Sequence, residues 1–147
     1  MPTSKLTLAE RRPLTEPLPA FDPETTGLIK LRSVAQVQRL RRRQRLAFLA
    51  PDNVYIVRSG LMAVEGAPVA NRRSIFELLY PGDILVPGLQ VPIPDLGLTA
   101  TTSAELWRLS SHTFTQEMHR DSALADLVFH RLNAQRARMQ LHVAVLA

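Results

Sequence analysis

Positive charge is concentrated in one short segment, where seven basic residues between positions 30 and 45 have no acid among them. They are Lys30, Arg32, Arg39, Arg41, Arg42, Arg43 and Arg45. The whole chain carries a formal net charge of +5, so this segment holds more than the total excess. Such a run is suited to contact phosphate groups. The alternative is a solvated face or an edge strand guarded by charge, and the lack of interleaved aromatic residues favours that alternative.

Residues for metal or nucleophilic chemistry are sparse. None of the 147 residues is cysteine, which excludes disulfides, thiol nucleophiles, thiolate zinc sites and iron–sulfur clusters bound by this chain. None of the four histidines is spaced from a second donor residue in the way that metal ligands are. We expect them to be surface or interface residues, and they are His112, His119, His130 and His142. The sequence contains no nucleophile elbow, phosphate-cradling loop or zinc-protease motif, so we predict that the protein is not an enzyme.

The segment that would position any site is predicted to be β-structure. Short apolar runs alternate with turn residues across positions 44–109. Many short strands at close spacing predict a barrel or sandwich. Gly60 and Gly82 stand where tight turns need a positive φ angle. Because side chains alternate along a strand, residues 54–57 (VYIV) offer apolar side chains to both faces of a sheet.

The N-terminal segment, residues 1–29, is predicted to be an extended lead-in, because five prolines interrupt every possible helix. Its first ten residues have no apolar core and therefore do not form a signal peptide. No uncharged apolar run reaches the roughly 20 residues that a membrane span needs. We expect a cytoplasmic protein without a membrane partner.

After residue 110 the pattern becomes helical. A short helix is predicted at 113–118, and a second one begins near Asp121 or Ser122. No glycine or proline follows between residues 124 and 146, and one set of residues recurs at alternating spacings of three and four. The set comprises Ala125, Val128, Leu132, Gln135, Met139, His142 and Leu146. This seam predicts a homodimer through the long helix. The alternative is one amphipathic helix that packs on its own barrel.

Three segments in this order resemble the Crp/Fnr family of bacterial transcription regulators. They are residues 54–64 (VYIVRSGLMAV), which look like the family's hairpin, residues 77–84 (ELLYPGDI), which look like its Pro-Gly-Asp turn, and residues 100–110, which look like its final strand pair. The resemblance implies a mainly β fold with helices. It implies a cyclic-nucleotide-binding-like jelly roll, or double-stranded β-helix, over residues 30–120. A short helix precedes the long dimerisation helix, which occupies residues 121–147.

The sequence departs from the family where its members hold a cyclic nucleotide. The resemblance places the phosphate-binding glycine and the ribose-binding glutamate at Val86 and Pro87, and the phosphate-binding Arg-Ser pair at Pro94 and Asp95. Proline donates no hydrogen bond, and an aspartate beside a phosphate is repulsive. No arginine lies between residues 84 and 105. We therefore predict that cyclic AMP and cyclic GMP are not bound in the usual way.

A different effector remains open, and its identity is unknown. The apolar, proline-rich loop after the Pro-Gly-Asp turn either lines a pocket for a small apolar molecule or simply caps the roll. The candidate pocket residues are Val86, Pro87, Gly88, Leu89, Gln90, Pro94 and Asp95. Haem, which some members of the family use, also stays open because it needs only an axial ligand such as histidine.

The resemblance implies that DNA is bound by a helix-turn-helix module beyond the long helix. No such module lies within these 147 residues, so we expect this chain to contact DNA only through a module that it lacks. Its apolar ending favours an excised domain over a stand-alone protein. The predicted function is effector sensing and dimerisation in a Crp/Fnr-type regulator. The alternative is a ligand-free dimer scaffold or protein-interaction module with a degenerate form of the fold.

Overall fold

The computed structural model describes residues 27–46, 49, 51–66, 74–87 and 96–146, the last seven of them by backbone alone. Eight strands and three helices lie in this part of the chain. In order they are a 3₁₀ helix (Leu28–Val34), β1 (Gln36–Leu40), β2 (Arg45–Leu46), β3 (Asn53–Ser59), β4 (Met62–Glu65), β5 (Ile75–Leu79), β6 (Ile84–Leu85), β7 (Gly97–Ala100), β8 (Ala104–Ser110), α1 (Ser111–Arg120) and α2 (Ser122–Leu146).

The strands form two four-stranded antiparallel sheets, in the orders β1-β8-β3-β6 and β2-β7-β4-β5. Consecutive strands fall in different sheets or pair as hairpins, so the chain winds into a jelly roll. The roll is followed by the short helix α1 and the long helix α2. The predicted fold class is therefore confirmed.

Strand β3 separates two apolar cores. Tyr55 and Val57 point into the roll, where side chains of both sheets meet. Val54 and Ile56 point the other way, against residues of the 3₁₀ helix and of α2. Because successive side chains of a strand alternate between faces, one run of four apolar residues serves both cores. The predicted two-sided burial of this strand is confirmed.

Two turns of the roll depend on glycine, as predicted. Gly60 has φ 83° and Gly82 has φ 89°. The Tyr80–Asp83 turn closes through a hydrogen bond from the Asp83 N–H to the Tyr80 carbonyl oxygen, at 2.9 Å. Gly60 lies so close to the turn between β7 and β8 that an added Cβ would come within 2.3 Å of the Ser103 carbonyl oxygen. Gly60 is therefore required for two reasons, its positive φ angle and the lack of room for a Cβ atom.

Both α-helices begin at side-chain caps. The Ser110 hydroxyl accepts a hydrogen bond from the Thr113 N–H at 3.1 Å, so α1 begins two residues earlier than predicted. The Asp121 carboxylate accepts one from the Leu124 N–H at 3.1 Å, and α2 begins where the sequence indicated. Lys30 of the 3₁₀ helix also bonds Asp121, and this hydrogen bond is the main cause that lowers the pKa of Asp121.

Two elements were not predicted, the 3₁₀ helix and β1. The helix begins at Leu28, inside the predicted lead-in, and it buries Leu28 and Leu31 in the core between roll and helices. Strand β1 is an edge strand whose side chains are mostly exposed, so its residues lack the apolar alternation that identifies a strand. No helix within the described residues is long and apolar enough to cross a membrane.

Candidate functional site at the junction of the roll and the long helix

One face of α2 packs against the roll of the same chain. Leu124 and Val128 are buried in the core that they share with Ile56, Ile84 and the Trp107 ring. About two turns beyond Val128, at Gln135, the same face is polar, and there it contacts the Pro-Gly-Asp turn and β6. This polar contact joins side chains of α2 to backbone and side-chain groups of the roll.

Gln135 binds both backbone groups of Ile84. The Ile84 N–H donates to Gln135 Oε1 at 2.8 Å, and Gln135 Nε2 donates to the Ile84 carbonyl oxygen at 2.8 Å. Ile84 belongs to β6, which is the edge strand of its sheet. The amide of Gln135 thus takes the place of a neighbouring strand and satisfies two edge groups. Buried polar groups are stable only when they are hydrogen-bonded. Because both polar atoms of its amide have partners, this glutamine can be buried, with 5% exposure.

The Asp83 carboxylate is fully buried beneath two arginines of α2. Arg131 lies 3.1 Å from one carboxylate oxygen, and Arg138 forms an ion pair and hydrogen bond with the other. The same oxygen accepts a hydrogen bond from the Tyr80 N–H at 2.7 Å. Arg131 also donates to the Pro81 carbonyl oxygen at 2.8 Å. A buried carboxylate needs such partners to remain charged.

The three helix residues of this contact recur at spacings of four and three, which places them on one face of α2. We name the set Asp83, Arg131, Gln135 and Arg138 the helix latch. The guanidinium of Arg138 also lies 4.8 Å from the centre of the Tyr80 ring, a cation–π contact. Together these contacts tie the middle of α2 to the Pro-Gly-Asp turn.

A second acid, Glu77, lies beside the latch. Burial raises the pKa of this carboxyl above its ordinary value, and repulsion from Asp83 raises it further. Arg138 and a hydrogen bond with Gln135 act in the opposite direction but do not cancel the rise. The charge of Glu77 is therefore disfavoured in the folded protein, while that of Asp83 is compensated by two arginines.

The structure divides the predicted seam of α2 between two surroundings. Val128 and Gln135 pack against the same chain, at 4% and 5% exposure, so they are not available to a second helix. Ala125 and Leu132 are half-buried, and Met139 is 39% exposed. The side chains of the two remaining seam residues, His142 and Leu146, lie outside the described residues. A polar residue on an apolar seam occurs both between two paired helices and where a helix packs on its own domain. The spacing of the residues in the sequence does not distinguish these two arrangements.

A second face of α2 is only partly covered by the described part of the chain, where Leu132 packs against the core between roll and helices. Phe129, which is not part of the predicted seam, is 63% exposed. It joins Ala125, Leu132, Arg136 and Met139 at spacings of four, three, four and three. We name these five residues the open face. An exposed phenylalanine within a stripe of this kind is typical of a surface that binds another protein chain.

The predicted effector loop is described only at its start. Val86 is half-buried against the core between roll and helices, and Pro87 is buried. The other candidate pocket residues, Gly88, Leu89, Gln90, Pro94 and Asp95, lie outside the described residues.

Within the described part of the chain, the histidines do not gather into a metal site. His112, His119 and His130 are all exposed. Among the residues that the structure describes, no group of three or more histidine, aspartate or glutamate side chains is placed to hold a metal ion.

The fold is shared with solved structures of transcription regulators and nucleotide-binding proteins. A cyclic-nucleotide-binding-domain protein from Listeria monocytogenes matches with a TM-score of 0.67 and 14% identity, over 84% of this chain and 62% of that chain. CLP of Xanthomonas campestris, a c-di-GMP responsive global regulator, matches with a TM-score of 0.64 and 16% identity, over 80% of this chain and 59% of its own. The heme domain of CooA from Carboxydothermus hydrogenoformans matches with a TM-score of 0.58 and 16% identity, over 82% of this chain and 91% of the domain.

These likenesses confirm the Crp/Fnr resemblance at the level of the fold. The chain spans 59% of the length of CLP. No protein-family model matches the sequence, and no curated protein is similar enough to count as a match.

Proposed function

We propose that the chain is the effector-sensing and dimerising part of a Crp/Fnr-type transcription regulator that works in the cytoplasm. The observation that carries this proposal is the division of α2 into two faces. One face is fastened to the roll by the helix latch, and the other presents Phe129 and Met139 to solvent. A helix that is fixed to a sensor on one side and open on the other is suited to pair with a second copy.

The latch offers a physical route from the roll to the helix pair. Ile84 and Asp83 lie at the start of β6, directly before the predicted effector loop, and both are bonded to α2. A ligand that shifts β6 would therefore also shift the helix. In a dimer, this changes the angle between the two long helices and shifts the population between two geometries. A DNA-reading module attached beyond α2 would respond to that angle.

The effector is proposed to be something other than a cyclic nucleotide held in the usual way. Phosphate binding needs free N–H groups and a cation, and the described start of the loop offers Val86 and the donor-free Pro87. CLP is described as responsive to c-di-GMP, and the CooA domain as a heme domain. Proteins of this fold thus respond to or contain different small molecules, so a small apolar effector or haem is compatible with the fold.

Sedimentation equilibrium of the full chain at tens of micromolar tests the dimer. We expect a dimer for the wild type and a monomer for Phe129→Asp, with the affinity between the two copies weakened about 30-fold or more, because a central aromatic residue contributes about 2 kcal/mol or more to an interface. Ala134→Asp is the matched control, since Ala134 is exposed on the opposite side of α2. A wild type that stays monomeric, or a control that dissociates equally, contradicts the open face as the dimer surface.

A ligand-free scaffold is the second candidate function, and the packing of the roll favours it. The roll interior is filled by mutually contacting apolar side chains, among them Tyr55, Met62, Leu85, Leu98 and Leu106. Native mass spectrometry of the purified protein, followed by calorimetric titration with cyclic AMP, cyclic GMP, c-di-GMP and haemin, separates the two functions. A bound small molecule or saturable binding supports sensing. A dimer mass without ligand and four flat titrations supports the scaffold.

A further inference from the structure

The arginine-rich segment between β1 and β2 has no role in the proposed function. Residues 41–44 (RRRQ) form the turn that joins these two strands, and all four are exposed. Arg39 precedes the turn on edge strand β1, with an 86% exposed side chain. Charge on an edge strand discourages pairing with other chains, which accounts for Arg39. It does not account for the arginines of the turn, because they lie beyond the end of the strand.

The backbone of this turn is rigid. The Arg43 N–H donates to the Ala100 carbonyl oxygen at 2.7 Å, and the Ala100 N–H donates to the Gln44 carbonyl oxygen at 2.9 Å. Within the turn, the Gln44 N–H donates to the Arg41 carbonyl oxygen at 2.9 Å, and Gln44 Oε1 accepts from the Arg41 N–H at 3.0 Å. The arginine side chains therefore extend from a fixed base.

The turn carries an arginine where glycine fits better. Arg43 has φ 71° and is the one non-glycine residue with a positive φ in the part of the chain that the structure describes. The left-handed conformation is unfavourable for a residue with a Cβ atom, and such positions usually hold glycine or asparagine. Strained residues of this kind concentrate at functional sites. Arg43 therefore lowers the stability of the folded protein at this position, while it adds a third consecutive guanidinium group to the turn.

Within the described part of the chain, no acid neutralises the side chains of the turn. No hydrogen bond or ion pair between described residues engages the guanidinium groups of Arg41, Arg42 or Arg43, while Arg39 lies 3.6 Å from the Glu105 carboxylate. The arginines surround an open depression of about 700 Å³, whose rim also holds Gln44 and the hydroxyl-bearing Ser103. The surface thus combines four guanidinium groups with two neutral hydrogen-bonding residues.

We infer that this surface, Arg39, Arg41, Arg42 and Arg43, is a binding site for the phosphate backbone of duplex nucleic acid. The planar guanidinium matches the oxygens of a phosphate with paired hydrogen bonds. Among the described residues, no aromatic side chain lines the depression, so this part of the surface lacks the stacking platform that single strands require. The contact would be independent of base sequence, because it reaches phosphates only. It goes beyond the proposed function and does not depend on it, because the site lies on the roll and not on α2.

Fluorescence anisotropy of the full chain with a labelled mixed-sequence 20-base-pair DNA duplex, titrated between 50 and 200 mM salt, tests the inference. Four phosphate contacts predict a log–log salt slope of about −3.6 for the wild type. We expect Arg41→Gln/Arg42→Gln to weaken binding at 50 mM salt about tenfold or more and to reduce the slope by about two. The matched control is Arg32→Gln/Arg120→Gln, which removes the same charge from exposed positions away from the turn.

A third variant links strain to binding. Arg43→Gly relieves the left-handed strain, so we expect its melting temperature to rise by about 2–4 °C while its affinity for the duplex falls. An arginine with only a structural role would not give these opposite changes. The inference is overturned if the wild type does not bind the duplex at 50 mM salt, or if the control variant loses as much affinity as the turn variant. Tighter binding of single-stranded DNA or of polyglutamate would also overturn it, since either would assign the surface to another class of partner.

Discussion

At the scale of single residues, two acids on neighbouring elements show how surroundings separate chemically similar groups. Asp83 and Glu77 both lie under α2, but the two arginines approach Asp83 and leave Glu77 with a raised pKa. Burial is the main cause at Glu77, and repulsion from Asp83 comes second. The charge of Glu77 at neutral pH therefore lowers stability, while that of Asp83 holds the latch together.

Replacement of Glu77 by glutamine should stabilise the protein at pH 7. The raised pKa means that the folded state binds the proton more tightly than the unfolded state, so the wild type loses stability as pH rises from about 4.5 through the folded-state pKa. The glutamine variant does not titrate and keeps that stability. Urea unfolding between pH 3.5 and 8 measures the difference. A gain that persists unchanged below pH 4 would contradict the assigned cause.

Gly60→Ala should be strongly destabilising, by about 2–4 kcal/mol, because the positive φ and the collision with the turn between β7 and β8 act together. An alanine Cβ would lie 2.3 Å from the Ser103 carbonyl oxygen and 2.8 Å from Ala104 Cα. Gly27→Ala is the control, since its φ is also positive at 80° while its Cβ would have room, 3.6 Å from Leu127. Chemical denaturation should show a loss of about 1–2 kcal/mol for the control, and equal losses for both variants would refute the steric argument.

At the scale of elements, the latch fixes where α2 lies relative to the roll. The apolar residues Leu124 and Val128 provide the first contact, and non-directional burial would allow the helix to rotate or slide. The hydrogen bonds of Gln135 to Ile84 and the ion pairs of Asp83 are directional, so they select one position. The open face lies beside this polar face, and its residues Phe129 and Met139 remain exposed.

Asp83→Asn tests the latch as a unit. It keeps the shape of the side chain and removes its charge, so we expect a loss of about 2–3 kcal/mol in the free energy of unfolding, less than for a fully buried pair because both arginines remain about one-third exposed. Hydrogen exchange should accelerate in α2 near residues 131–138. Asp126→Asn, at an exposed position of the same helix, should change stability by less than about 0.5 kcal/mol. A loss no greater than in this control would show that the ion pairs do not hold the helix.

At the scale of the whole molecule, the described chain has three separate parts. The roll has its own apolar interior, the open face of α2 is the surface that we propose for a second copy, and the arginine turn lies on the roll between β1 and β2. Because the turn and the open face belong to different elements, their variants should act independently. Phe129→Asp is expected to abolish dimerisation without changing the phosphate contacts of one chain, and Arg41→Gln/Arg42→Gln should leave the dimer intact.

Much of the fold was predictable because it depends on local patterns. The alternation of residues 54–57, the glycines at positions 60 and 82, and the helix-favouring composition after residue 121 each act through neighbours in sequence. Strand β1 was missed because its edge position leaves it without apolar alternation. Phe129 was missed because two overlapping sets of helix positions have the same spacing of three and four. The predicted seam follows the set that contains Val128 and Gln135, whereas Phe129 and Arg136 belong to the other set.

The sequence by itself determined the order of strands, turns and helices and placed a cluster of arginines between positions 39 and 45. Only the tertiary structure decided which face of the long helix packs against the roll and which face stays exposed. Gln135 and Val128 fit a seam between helices as well as a contact with a sheet, and the choice depends on β6, some 50 residues away. The structure likewise showed that Arg43 adopts a left-handed conformation, since the hydrogen bond from its N–H to Ala100 joins residues far apart in sequence. Local patterns are read from neighbours, whereas these contacts arise only when distant segments meet.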